Sequence, residues 1–326
     1  MQHLIGVDLG GTNLKVALLD KKGEIRKKTS VLTARGKQAV LQQIIESIEK
    51  VLEKTGVKKS AVLGIGIGTP GLVDNIHGIV RGFTNIKGWR NVPLKEYVER
   101  EIKLPVYVDN DVNLMTLGEL MCGAGRGAKN IVCLTLGTGV GGGIVIEGNL
   151  YRGSTLSAGE IGHVSVNADG PRCICGSYGC LERYVGNAYI VKKAVEAIEG
   201  GRRSIIKKLV EGDLKAVTPR VISRAARQGD RLAGEIWEET GRYIGIVLSG
   251  VVNLLDPEII VIGGGVAQAG RLLFEPIRKT VKERAMSIPA RKVKIVPAKL
   301  GKDAGLIGAG MLVKVEANKI SSLHPA

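Results

Sequence analysis

Between Glu160 and Glu182 the chain places one histidine and three cysteines: His163, Cys173, Cys175 and Cys180. The spacing His-x9-Cys-x-Cys-x4-Cys brings an imidazole and three thiols within eighteen residues, a donor set that suits a closed tetrahedral zinc. With all four positions filled by protein ligands, the metal expected here is structural. The competing reading is a core histidine among buried thiols. Glu160 and Glu182 flank the cluster, and residues 159–182 read as a zinc loop whose purpose is to hold those two carboxylates.

Three turns of small residues suit phosphate. In Asp8-x-Gly10-Gly11-Thr12 the glycines let backbone N–H groups approach an anion, Thr12 and Lys15 add a hydroxyl and a cation, and Asp8 is a candidate for Mg2+. A plain hairpin turn explains this stretch alone equally well. Gly137-Thr138-Gly139 and Gly263-Gly264-Gly265 repeat the chemistry at other strand ends, and together the three suggest a nucleotide clamp. Gly66-x-Gly68-x-x-Gly71 and Gly137-x-Gly139-x-x-Gly142 match the dinucleotide fingerprint in letters only, since that motif needs a helix opening on its third glycine.

Asn110-Asp111 stands at the end of an apolar run, where open α/β sheets place ligand groups. An aspartate there can accept a hydroxyl proton as phosphoryl transfer begins. Capping of a helix from residue 112 onward is the alternative.

The elements that must position these groups follow from periodicity. Residues 4–9 and 16–19 predict two strands around the first turn, closed by Asp20-Lys21-Lys22-Gly23. Apolar residues at 40, 41, 44, 45, 48, 51 and 52 predict a helix ending at Gly56. Strands are expected at 62–67 and 106–108, then a helix through Leu117. Residues 131–146 repeat the opening strand–turn–strand pattern, which predicts two lobes of like topology sharing one cleft. A mainly helical region follows the cysteine loop. It includes one long helix over 230–255, in which Gly241, Gly245 and Gly250 permit close packing. Strands at 258–262 and 293–296 and a small-residue helix at 303–313 complete the pattern.

At 326 residues the chain exceeds the usual single core, so two lobes are expected. The boundaries are placed near 112 and 302: residues 1–112 with 302–326 form one lobe, and 113–301 the other. Hydrophobic residues make up 44% and aromatics only 3%, so the core is built from Val, Ile, Leu and Ala in layers. The net charge of +16 invites a nucleic-acid reading, but the basic residues are scattered and lack interleaved aromatics, so a solvated surface is expected and no nucleic-acid partner. Cys122 and Cys133 fit no pairing pattern and read as small core residues in a reducing compartment. The start Met1–Asp8 has no signal-peptide pattern, and no run reaches the length of a membrane span, so a cytoplasmic protein is expected.

Taken together these residues resemble the ROK family (repressor, open reading frame, kinase) across essentially the whole chain. The resemblance rests on Asp8-Leu9-Gly10-Gly11-Thr12, Thr69-Pro70-Gly71, Asn85 with Gly88-Trp89, Asn110-Asp111, Leu136 to Gly143, Gly159-Glu160-Ile161-Gly162-His163, the cysteine loop and Ile262 to Gly265. It implies an α/β, actin-like ATPase (ribonuclease H-like) duplicated two-lobed fold of the hexokinase type, with sugar and ATP in the cleft. By that resemblance Asp111 is the base; Gly71, Asn85, Asn110, Asp111, Glu160, His163 and Glu182 line the sugar site; and His163 also binds zinc with Cys173, Cys175 and Cys180. Gly10, Gly11, Thr12, Thr138, Gly139, Gly264 and Gly265 meet ATP. Several members have a lysine directly after the first turn, whereas here Asn13 stands there and Lys15 follows two residues later. The implied activity is ATP- and Mg2+-dependent phosphorylation of a hexose at its 6-hydroxyl. Glucose is the first expected substrate, with N-acetylmannosamine, N-acetylglucosamine, fructose and allose as alternatives, in a homodimer or homotetramer. The other class in the family, a sugar-responsive regulator, carries a helix-turn-helix domain ahead of the first turn, for which the start at Asp8 leaves no room.

Overall fold

The computed structural model describes residues 2–82 and 86–323. The chain opens with strands β1 (His3–Leu9), β2 (Asn13–Asp20) and β3 (Ile25–Leu32), then helix α1 (Lys37–Thr55) and strand β4 (Val62–Thr69). A small antiparallel sheet of β5 (Val73–Asp74), β6 (Ile79–Gly82) and β7 (Arg90–Pro93) follows, and then α2 (Leu94–Ile102), β8 (Val106–Asn110) and α3 (Asp111–Cys122). The second half runs β9 (Ile131–Leu136), β10 (Val140–Ile146), β11 (Asn149–Tyr151), α4 (Glu182–Val185), α5 (Asn187–Glu199), α6 (Ile206–Leu209), α7 (Pro219–Arg227) and α8 (Arg231–Leu255). It closes with β12 (Ile259–Gly263), α9 (Arg271–Arg284), α10 (Ser287–Lys292), β13 (Lys294–Pro297) and α11 (Ala304–Leu323).

The expected duplication is present strand for strand. Among the described residues one sheet has the order β3-β2-β1-β4-β8 and the other β11-β10-β9-β12-β13. In each, the first strand pairs antiparallel with the second and parallel with the fourth, and the fifth adds in parallel. Parallel strands whose connections run in the same sense end at the same edge, so each sheet gathers its small-residue turns on one side.

Local sequence explains the helices that matter. The predicted face of α1 is buried from Val40 to Leu52, and Gly56 ends the helix in the left-handed conformation at φ 64°. Asp230 caps α8 by accepting from Ala233 N at 2.8 Å, and Trp237 is buried in the first half of the helix. Gly241 and Gly245 lie flush on α9: a β-carbon at Gly245 would stand 2.5 Å from Thr280 Cβ. The same reading does not hold for Gly250, which is exposed with nothing near it.

Small residues also set the position of α11. A β-carbon at Gly66 would meet Ala309 O at 1.8 Å, and one at Gly308 would meet Leu114 O at 1.7 Å. The helix therefore lies in backbone contact with β4 and α3 and caps the first sheet through Leu306, Leu312 and Val313. Periodicity did not predict α2, β11 or α9, nor β3 and the small sheet. β3 is an edge strand with a mostly exposed, lysine-bearing face, and the β5–β7 sheet has strands of two to four residues. Neither presents an apolar run long enough to register.

Candidate active site

The first sheet delivers Asn110 and Asp111 to the edge of the cleft at the junction of β8 and α3. The capping reading of this pair holds, and it falls to Asn110. Asn110 is the cap: its Oδ1 accepts from Val112 N at 2.8 Å and Asn113 N at 3.2 Å, while its Nδ2 donates to Gly71 O at 3.1 Å. Gly71 takes φ 92°, which favours glycine, so the Thr69-Pro70-Gly71 turn is fastened to the cap. Asp111 is the first helical residue, and its Oδ1 accepts from Val112 N at 3.0 Å. Burial, then the charge of Asp8 and also that of Glu160, push its carboxyl up to about 6. Carboxylates from β8/α3, the first turn and the cysteine loop thus share one electrostatic neighbourhood.

Asp8 lies beside Gly305 at the start of α11, where a β-carbon would come within 3.7 Å of the carboxylate. Lys15 donates to Asp8 Oδ2 at 2.8 Å and to Lys302 O at 3.1 Å. The lysine therefore neutralises Asp8 instead of standing free in the turn. Gly10, Gly11 and Thr12 form the hairpin turn that follows, closed by Gly10 N donating to Asn13 O at 2.9 Å.

In the second sheet the Gly137-Thr138-Gly139 turn is joined to the cysteine loop by Glu182, whose Oε2 accepts from Val140 N at 2.8 Å. A β-carbon at Gly139 would sit 2.4 Å from that oxygen, so glycine is required for the carboxylate to reach. Gly264, at φ 89°, packs against the Leu136 backbone. A cavity of about 450 Å³ beside it is lined by Met115, Gly264, Gly265, Pro297, Gly301 and Lys302. A neighbouring cavity of about 460 Å³ shares Gly265 and carries Arg220, Arg224 and Arg227 on one face of α7. The sequence reading passed over Met115, Lys302 and these arginines, although the i, i+4, i+7 arginine spacing after Thr218-Pro219 was a usable signal.

The sulfur and nitrogen donors of His163, Cys173, Cys175 and Cys180 all lie within 4.8 Å of one another. Cys175 Sγ and Cys180 Sγ are 3.6 Å apart, as are Cys173 Sγ and His163 Nδ1. Bonds of about 2.3 Å to a tetrahedral zinc separate thiolates by roughly 3.8 Å, so the group fits that metal. The same imidazole has its other nitrogen, Nε2, 3.9 Å from Glu160 Oε2, so the donor group stands beside that carboxylate. Asn85 lies outside the described residues. The remaining thiols behave as core groups: burial pushes Cys133 up to about 12 and raises Cys122.

Comparison with known proteins places this arrangement. The model of the ROK family matches residues 4–316. The chain belongs to the ROK family. It is 40% identical to a glucokinase of Halalkalibacterium halodurans over 320 residues, 97% of this chain and 96% of that one. The solved structure of a ROK family glucokinase from Streptomyces griseus in complex with glucose and AMPPNP superposes with a TM-score of 0.81 at 36% identity, covering 96% of this chain and 99% of that one. A xylose repressor of Caldicellulosiruptor bescii is 32% identical over 95% of this chain but only 77% of its own length. This ROK protein has the actin-like, duplicated two-lobed fold that its sequence led us to expect. Among its described residues no helix is long and apolar enough to cross a membrane.

Proposed function

We propose that this ROK protein is an ATP-dependent sugar kinase that phosphorylates a hexose at its 6-hydroxyl, with glucose as the first substrate to test. The observation that carries the reading is Asp111: a partly buried carboxyl, pushed up to about 6, at the head of α3 between the two sheets. A base raised to that value keeps its charge at neutral pH yet holds a proton better than an ordinary aspartate.

The chain's residues divide the work. Asn110, Gly71, Glu160, His163 and Glu182 bind and orient the sugar, with Asn85 as a further ligand. Asp111 takes the proton from the hydroxyl as its oxygen attacks the γ-phosphorus of ATP, and ADP leaves with the bridging oxygen. Gly10 to Thr12, Thr138, Gly139, Gly264 and Gly265 offer backbone and hydroxyl donors to the phosphates. Asp8 and the ATP phosphates are the oxygen donors that would hold Mg2+, which when bound neutralises charge developing on the phosphates. His163, Cys173, Cys175 and Cys180 would hold zinc, which when bound fixes the loop carrying Glu160 and Glu182. Lobe closure would exclude water from the site.

A kinase assay over glucose, the two N-acetylhexosamines, fructose and allose, read by ADP release alongside a zinc measurement, tests the reading. Sugar-dependent ADP formation supports it. Sugar binding without turnover would assign the chain to the regulators of its family.

A further inference from the structure

Glu119 is a carboxylate with 0% exposure and, among the described residues, no cation within ion-pair distance. It sits in the last turn of α3, where the helix carbonyls already make the surroundings negative. Both features disfavour a charge there, so something specific must hold it. Three backbone N–H groups do: Ala124 N donates to Oε2 at 2.7 Å, Lys299 N to Oε2 at 3.1 Å and Leu300 N to Oε1 at 2.8 Å. The sequence clears space for it, since a β-carbon at Gly123 would stand 2.1 Å from Oε2.

What Glu119 joins is the point. α3 is the first crossing between the sheets, touching β4 and β8 on one side and β9 and β10 on the other. Residues 298–303 are the return crossing, from β13 in the second sheet to α11 on the first. One carboxylate therefore ties the outgoing segment to the returning one. Asp111, Met115 and Glu119 fall at i, i+4 and i+8, along one stripe of α3. The stripe thus runs from the proposed base, through a wall of the cavity beside Gly264, to the fastening of Lys299 and Leu300, which adjoin the opposite wall at Pro297, Gly301 and Lys302.

We propose that Glu119 is a positioning residue. It clasps the two crossings at the pivot of the cleft and thereby sets the width of the phosphoryl-donor pocket relative to Asp111. The proposal rests on the kinase reading for its consequence in catalysis but not for the clasp itself. Removing the negative charge loosens the donor wall, while the sugar contacts at Asn110, Glu160 and His163 are held by other bonds.

Steady-state kinetics of Glu119→Gln with glucose and ATP test it. The expected result is a KM for ATP raised at least about tenfold with the KM for glucose within about twofold, and partial recovery in Glu119→Asp. Unchanged kinetics in a folded Glu119→Gln, or both KM values rising together with a fall in Tm, overturns it as mere stability. Should neither variant fold, hydrogen exchange on the wild-type protein decides. Slow exchange at the Lys299 and Leu300 amides, alike with and without AMPPNP and glucose, supports a fixed pivot. Exchange as fast as in an exposed loop overturns it. A wild-type protein inactive on every sugar sinks the kinase reading alone, and the exchange measurement still reads the clasp.

Discussion

Arg152 donates through both Nε, at 2.8 Å, and Nη2, at 2.6 Å, to one oxygen of Asp109, the residue just before Asn110 and Asp111. The other oxygen accepts from Asn110 N at 2.7 Å and Asn113 Nδ2 at 3.0 Å. Asp109 is only 1% exposed, so this pair fastens the start of the loop leading to Glu160 onto the strand that presents Asp111. Arg152→Met leaves a buried charge facing no cation, which costs about 3 kcal/mol. Denaturant melts should show that loss together with a fall in kcat. The Asp109→Asn, Arg152→Met double variant should be less destabilised than the two single changes summed.

Asp111→Asn removes the base and should lower kcat by about 10³-fold or more, with glucose still binding by calorimetry. Substantial retained turnover would sink the assignment.

The position of that carboxyl also fixes two pH effects. The base works only when ionised, so kcat/KM should rise with pH through about 6 and level off above it. Stability runs the opposite way. The folded carboxyl holds its proton up to about 6 and the unfolded one only to 3.8, so the folded state binds the extra proton between these values. Its contribution is therefore best at low pH and is lost as pH rises through the folded value. Asp111→Asn should be more stable than the parent at neutral pH, by on the order of 2 kcal/mol, in urea melts at several pH values.

Cys175 is exposed, so Cys175→Ser costs little packing but removes one of the four donors at the cluster. The variant should lose zinc by elemental analysis and bind glucose at least about tenfold more weakly, since the loop that carries Glu160 and Glu182 loses its anchor. Unchanged sugar affinity in zinc-free protein would overturn the link between metal and pocket.

Two glycines of α8 should respond with opposite signs. Gly245→Ala meets Thr280 and should cost about 1–3 kcal/mol. Gly250→Ala enters open space in a helix interior and should gain about 0.5–1 kcal/mol with activity unchanged.

The contrast between those glycines explains what the sequence could and could not convey. Period and punctuation revealed α1, its Gly56 cap and the paired strand–turn–strand units, because these depend on neighbours in the chain. The thiol cluster was legible for the same reason: its four donors sit within eighteen residues. Spacing alone did not say which of Asn110 and Asp111 caps the helix, because either side chain can do so. Arg152 and Glu119 were invisible. The carboxylate partner of Arg152 lies 43 residues away and two of the partners of Glu119 lie 180 and 181 residues away, and nothing local marks them.

The placement of α11 has a consequence for synthesis. The first sheet is complete once Asn110 has been made, but the helix that covers one of its faces begins only at Ala304. Leu4, Ala17 and Leu19 therefore emerge from the ribosome long before Leu306, Leu312 and Val313 exist to bury them. The first lobe cannot finish before the second has been translated, so the nascent chain carries a bare apolar face through most of its elongation. Completion of the first lobe is thus tied to synthesis of α11, and fragments that stop short of it should be held by chaperones at the N-terminal sheet.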